Sequence, residues 1–104
     1  MTQTERIEKM EALLDECSEG IAGFEPALEK FATLQKKIKE LSAYYSSPEW
    51  MSDYDDSNSG KLPKGLKCGV LSEDAVFDLL TEEHNLAIEM AELSLKIIKG
   101  DGEE

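Results

Sequence analysis

Apolar residues recur along the first half of the chain at alternating steps of three and four. This spacing places them on one face of an α-helix, and it continues after a local shift at Gln35 as far as Tyr45. The pattern predicts a long, coiled-coil-like helical region over residues 3–46, with Thr2 or Thr4 as its N-cap. The first eight residues of this face are called the apolar stripe: Ile7, Met10, Leu14, Cys17, Ile21, Phe24, Leu28 and Phe31.

Three residues that disfavour helix, Gly20, Gly23 and Pro26, lie within this pattern. Inside a helix they would together cost about 5 kcal/mol relative to alanine. The chain could form a helical hairpin that turns near residues 20–25, with Pro26 in the first turn of the second helix, or one long, kinked helix. The stripe keeps its phase through the interruption, which favours the long helix. We then expect a homodimer through the Ile7–Phe24 part of the stripe, since it would lack partners within its own chain.

The second half of the chain contains shorter signals. Ser47 and Pro48 are typical of an N-cap and a first helical residue, and they begin a short turn and connector over residues 47–71 that includes a polar loop, 53–60. Ser72 is expected to cap C-terminal helices over residues 73–99, with a restart at Thr81, before a loose tail at 100–104.

These signals predict a single all-α domain over residues 1–104. Its architecture would be a small antiparallel helical bundle with a long, kinked or hairpin-broken N-terminal helix, a Gly/Pro connector and a C-terminal helix pair.

The chain has a formal net charge of −12, from 23 acidic and 11 basic residues. A field of this sign repels phosphate groups, so we expect neither nucleic acid nor a membrane as partner. No apolar run approaches the ~20 residues that cross a bilayer, and the first residues lack the apolar core of a signal peptide. These features predict a cytoplasmic protein, in which Cys17 and Cys68 would be buried thiols.

Residues 60–74 have the glycine spacing of a phosphate-binding loop. Gly60 and Gly65 are correctly separated, but the lysine comes one position late at Lys67, and Cys68 offers no hydroxyl. Pro63 also removes a backbone donor. We interpret the segment as a connector between helices.

The acidic segment 53–60 resembles a calcium loop only in part. Counted from Asp53, the sixth position is Asn58 instead of glycine, and the twelfth is Lys64 instead of a bidentate glutamate. His84 is the single histidine and is interpreted as structural. We therefore predict no catalytic, cofactor-binding or metal-binding residues, and weak binding of divalent cations to residues 53–60 stays an open question.

Aromatic residues concentrate just after the long helical region. Tyr and Trp side chains dominate binding hot spots when exposed, although they also close the end of a core, and the second interpretation is favoured here with Trp50 partly exposed. The possible interaction patch consists of Tyr44, Tyr45, Trp50, Leu62, Lys64 and Lys67.

Several short motifs resemble a known family. They are Y-Y-x-S-x-E-W at 44–50, G-x-L-P at 60–63, L-K-x-G-V-L-S-E-D at 66–74 and D-L-L at 78–80. Together they resemble the bacterial domain-of-unknown-function family 4298, over nearly the whole chain. The resemblance implies a stand-alone, cytosolic, helix-rich protein with no established activity, and it transfers no catalytic residue.

Three functions are compatible with the sequence. The first is a small acidic, non-enzymatic protein–protein interaction module. The second is an acidic nucleic-acid mimic that inhibits a protein with a basic cleft, since Glu8, Glu11, Asp15 and Glu19 repeat along one helix. The third is a divalent-metal-binding protein or enzyme whose ligands would be Asp53, Asp55, Asp56, Glu73 and Asp74.

Overall fold

A computed structural model describes residues 1–100, and within that range the chain is all-α. Helix α1 spans Gln3–Tyr45, helix α2 spans Pro48–Asn58, a short 3₁₀ helix spans Gly69–Leu71, and helix α3 spans Ala75–Lys99. The predicted all-α class and the long N-terminal helix are confirmed. The predicted loose tail lies outside the described residues from 101 onward.

Helix α1 begins at a reciprocal cap. The Thr2 hydroxyl accepts from the Glu5 backbone N–H at 3.1 Å, and the Glu5 carboxylate accepts from the Thr2 N–H at 2.9 Å. This capping box satisfies donors that the first helical turn leaves free. The helix then continues without a break past Gly20, Gly23 and Pro26. The hairpin alternative is therefore wrong, and Pro26 lies inside a helix.

The described residues divide into two compact units: the N-terminal unit, Met1–Lys37, and the C-terminal unit, which begins at Ile38. The N-terminal unit is one helical segment of α1, and no residue of α1 is buried. Cys17 is exposed, so its expected burial is wrong: a single helix provides no second layer to cover it. Cys68, in the C-terminal unit, is half-buried.

The C-terminal unit has a small core around the 3₁₀ helix. The core residues are Trp50, Leu71 and Val76, with exposed fractions of 8%, 8% and 2%. They come from α2, the 3₁₀ helix and α3 respectively. Both α2 and α3 contact the 3₁₀ helix, so these helices meet through a short central turn instead of lying side by side.

Serine hydroxyls accept backbone hydrogen bonds at the start of α2 and just before α3. The Ser47 hydroxyl accepts from the Trp50 N–H at 3.2 Å, and Pro48 is the first residue of α2. The Ser72 hydroxyl accepts from the N–H groups of Asp74 and Ala75 at 3.2 and 3.0 Å. The predicted Ser47 cap is confirmed. Helix α3 begins at Ala75 with Asp74 at its N-cap position, so Ser72 bonds the turn before the helix instead of occupying the cap itself.

Two details of the second half differ from prediction. The polar loop expected over residues 53–60 is helical as far as Asn58, because Trp50 and Tyr54 anchor this segment to the core and override the low helix propensity of its aspartates. The predicted C-terminal helix pair is one helix that passes through Thr81 and ends at Gly100 in a left-handed conformation. None of the helices described over residues 1–100 is long and apolar enough to cross a membrane.

Candidate functional site

Three aromatic side chains form a cluster in the C-terminal unit. Trp50 stacks on Tyr54 with ring centroids 5.0 Å apart and forms a T-shaped pair with Tyr45, whose ring centroid is 5.2 Å away. The spacing of four residues places Trp50 and Tyr54 on one face of α2. Such ring pairs stabilise beyond the area that they bury.

Hydrogen bonds connect this aromatic cluster to the segment that precedes α3. The Trp50 indole N–H donates to the Val70 carbonyl at 2.9 Å, and the Tyr45 hydroxyl donates to the Glu73 carbonyl at 2.8 Å. Trp50 was expected to be partly exposed, and that expectation is wrong, because its side chain is buried, Tyr54 stacks on its ring and its N–H is satisfied. The cluster ties the end of α1 and helix α2 to residues 70–73.

Two tyrosine hydroxyls of this region bond to carboxylates. Tyr44 donates to Asp53 at 2.5 Å, and Tyr54 donates to Glu73 at 2.7 Å. The bond to Asp53, then partial desolvation, raises the pKa of Tyr44 from 10.0 to about 12. The bond to Glu73 raises the pKa of Tyr54, partly opposed by a hydrogen bond with Asn58. Both phenols therefore stay neutral at physiological pH and act as donors.

An open groove lies beside the aromatic cluster within the C-terminal unit. Its most exposed apolar side chains are Met51 and Phe77, with exposed fractions of 53% and 59%. The carboxylates of Glu73 and Asp74 give it an acidic border. The groove is lined by Tyr45, Trp50, Met51, Tyr54, Glu73, Asp74 and Phe77.

The predicted interaction patch is only partly brought together. Tyr45 and Trp50 share the groove, whereas Tyr44 is directed to Asp53. Lys64 and Lys67 are exposed and Leu62 is half-buried, and these three are outside the lining of the groove. The sequence interpretation missed Tyr54 and Phe77. The four-residue spacing from Trp50 would have revealed Tyr54, had residues 53–58 been recognised as helical.

The glycine-containing connector uses its backbone donors internally. The N–H groups of Gly60, Lys61 and Leu66 donate to the carbonyls of Ser57, Asp56 and Pro63. Gly60 and Gly65 have φ angles of 72° and 85°, the left-handed region that glycine adopts without strain. These bonds make the segment a sequence of turns that connects α2 to the core, in agreement with its interpretation as a connector.

The candidate metal ligands that the sequence suggested lie within residues 53–74. Within residues 1–100, no group of three or more His, Cys, Asp or Glu side chains is arranged to hold a metal ion. His84 is exposed on α3.

The second candidate surface is the apolar stripe of α1. Six of the eight side chains of the stripe are exposed by 46–66%, Cys17 is also exposed, and Phe31 at its end is half-buried. The six are Ile7, Met10, Leu14, Ile21, Phe24 and Leu28. Side chains of this type exposed in a continuous row are typical of a surface that contacts another protein.

The described residues therefore define a class of small all-α proteins in which a long amphipathic helix precedes a compact unit with an aromatic core. The sequence model of the family "Domain of unknown function (DUF4298)" matches residues 7–93. The chain belongs to this family, as the motifs between Tyr44 and Leu80 indicated. No curated protein and no solved structure matches the chain.

Proposed function

We propose that this protein is a small acidic, non-enzymatic protein–protein interaction module that acts in the bacterial cytoplasm. The observation that carries the proposal is the exposure of the apolar stripe, with Ile21 66% exposed and Leu14 59% exposed. Leaving such side chains in water forgoes about 1.5–3 kcal/mol for each residue of this size.

The composition of α1 also supports a partner. Gly20, Gly23 and Pro26 together disfavour this helix by about 5 kcal/mol relative to alanine, and no residue of α1 is buried to offset that cost. Helices in proteins gain most of their stability from packing an amphipathic face. A partner on the stripe would provide that packing, and the Pro26 side chain would not obstruct it because residue 26 falls on the opposite face.

The groove beside Trp50 is the second surface that this proposal uses. The aromatic cluster holds it in one shape, and Met51 and Phe77 lie exposed next to Glu73 and Asp74. This chemistry suits an apolar side chain followed by a basic group. From the predicted patch, Tyr45 and Trp50 contribute to the surface.

A pair of variants with the same added charge tests the proposal. Ile21→Glu places a carboxylate in the apolar stripe, whereas Ala12→Glu places it on the opposite, exposed face of the same helix. Proteins captured from native cells on the immobilised chain should be lost with Ile21→Glu and retained with Ala12→Glu. The proposal is wrong if neither variant changes the captured proteins or self-association.

Salt separates this function from the nucleic-acid mimic. A contact through the apolar stripe should persist in high salt, whereas a mimic bound through Glu8, Glu11, Asp15 and Glu19 should release its partner as salt screens the charges. The mimic would also bind equally well with Ile21→Glu. Loss in high salt together with insensitivity to Ile21→Glu would favour the mimic.

A further inference from the structure

We propose that the partner on the apolar stripe is a second copy of helix α1, bound antiparallel, so that two chains form a dimeric coiled coil. This inference rests on the proposed function, since it names the occupant of the same surface. It is argued from residues of the N-terminal unit alone.

The apolar stripe fits a heptad repeat without a break. Written as abcdefg, the a positions are occupied by Ile7, Leu14, Ile21 and Leu28, and the d positions by Met10, Cys17, Phe24 and Phe31. Four consecutive heptads with apolar a and d residues are the pattern of a coiled coil. The stripe is exposed from Ile7 to Leu28, so these side chains are available to interdigitate with those of another helix.

Charge along α1 sets the orientation of the pair. Residues 8–19 contain five acidic residues and one basic residue, a charge of −4, whereas residues 26–37 contain one acidic and three basic residues, a charge of +2. A parallel pair would place −4 against −4 and +2 against +2. An antiparallel pair places each acidic segment against the partner's basic segment, and charge complementarity of this kind selects the orientation.

The same overlap aligns six of the eight residues of the stripe with one another. When the two-fold axis passes between residues 22 and 23, these six pair a with d: Ile21 lies opposite Phe24, Cys17 opposite Leu28, and Leu14 opposite Phe31. Ile7 and Met10, at the start of the stripe, have no partner within the stripe of the other copy. Gly20 then lies near Ala27 of the other copy, and these small residues let the helices approach at the axis. Ala12, Glu19, Pro26 and Thr33 occupy the f position, which points away from the partner.

Cysteine cross-linking tests which residues of the two copies lie opposite each other. A disulfide forms only when the two Cα atoms lie within about 7 Å. In the antiparallel pair Cys17 lies next to Leu28 of the other copy and far from the other Cys17. Residues 17 and 28 of one chain are about 16 Å apart along the helix, so a bridge between them within one chain is excluded.

Three variants, all containing Cys68→Ser, give distinct patterns. The first retains Cys17 as the single cysteine, the second combines Cys17→Ser with Leu28→Cys, and the third combines the native Cys17 with Leu28→Cys. Under mild oxidation we expect a covalent dimer from the third variant only. Helical circular dichroism of each variant checks that the substitution preserves α1.

The mass of the native chain is measured in parallel by sedimentation equilibrium. We expect about twice the 11.6 kDa of one chain for the native protein and for Ala12→Glu, and a monomer for Ile21→Glu. The weakening with Ile21→Glu should be at least 100-fold in the dimer dissociation constant, since it places one carboxylate in each of the two dry layers beside the two-fold axis.

Other occupants of the apolar stripe would give other results in the cross-linking and mass measurements. Cross-linking of the first and second variants would show a parallel dimer and overturn the proposed orientation. A monomeric mass without any cross-link would overturn the dimer and would leave a different protein as the occupant of the stripe. If Ile21→Glu still abolished capture of such a protein, the interaction module would stand although the dimer had failed.

Discussion

The N-terminal and C-terminal units place their large apolar side chains in opposite ways. In the C-terminal unit Trp50, Leu71 and Val76 come from three elements and are buried against one another. In the N-terminal unit Leu14, Ile21 and their neighbours lie on one helix and are exposed. The difference shows that a regular apolar pattern does not by itself produce a core. A chain segment buries its own side chains only when turns bring a second element against them.

The largest effect is expected from removing the center of the aromatic core. Trp50→Ala should lower the free energy of unfolding of the C-terminal unit by about 3–5 kcal/mol, because it deletes a buried ring that packs on two tyrosines. Urea denaturation monitored by circular dichroism measures the change. Met51→Ala, next to it on α2 but 53% exposed, is the matched control and should change stability by less than about 0.5 kcal/mol. Equal losses in the two variants would contradict the described core.

In the N-terminal unit, a substitution on the exposed face should raise the stability instead of lowering it. Pro26→Ala restores a backbone donor to the middle of α1 and should stabilise the helix by about 3 kcal/mol. Thermal unfolding followed by circular dichroism measures the gain. Thr33→Ala is the control at the same heptad position seven residues later, and it should change the stability of the helix by less than about 1 kcal/mol. Unchanged helix stability with Pro26→Ala would be inconsistent with a continuous helix through residue 26.

A third pair compares the same substitution in the two units. Gly65→Ala should destabilise the C-terminal unit by about 1–2 kcal/mol, because φ of 85° is strained for alanine. Gly23→Ala should stabilise α1 by about 1 kcal/mol, because glycine disfavours a helix interior. A new Cβ meets no atom within 4 Å at either position, so backbone conformation alone decides the sign. Two changes of the same sign would contradict this assignment.

The smallest effect concerns pH and is confined to the C-terminal unit. The neutral Tyr44 phenol donates to Asp53, which raises its pKa to about 12. Since the folded value exceeds the usual 10.0, this contribution to stability is complete below pH 10 and is lost as the pH rises through 12. Tyrosinate absorbance during alkaline titration should show a component near pH 12.

Two variants identify this component. Tyr44→Phe should remove it, and Asp53→Asn should move it toward pH 10 because the carboxylate acceptor is gone. A titration unaltered by Asp53→Asn would show that another group raises the pKa of Tyr44.

Much of the helical structure could be predicted from local signals. The three-and-four spacing from Ile7 to Phe31 indicates α1, and the unbroken phase across Gly20 and Pro26 correctly favours one helix over a hairpin. Ser47, Pro48 and Ser72 mark the starts of later elements because caps and N1 prolines depend on neighbouring residues only. Signals within a few residues of each other were therefore sufficient for these features.

The remaining differences arise from contacts distant in sequence. Asp53 and Asp56 suggested a loop, but Trp50 and Tyr54 hold their segment against Val70 and Glu73 as a helix. Thr81 suggested a restart, although a threonine costs a helix only a few tenths of a kcal/mol.

The candidate surfaces also combine features that local sequence signals predict with features that depend on contacts distant in sequence. Tyr45 and Trp50 could be grouped because they are close in sequence, whereas Phe77 reaches the groove from a separate helix. The positions of Leu62, Lys64 and Lys67 depend on turns of the connector that have no periodic pattern, and periodicity gives no information there.

The single tryptophan and all three tyrosines lie between residues 44 and 54. Intrinsic fluorescence and near-ultraviolet dichroism therefore report on the C-terminal unit, and the N-terminal unit is nearly silent in both. Separation of these signals from the far-ultraviolet helical signal during heating would resolve the unfolding of the two units in the native protein, without an added label.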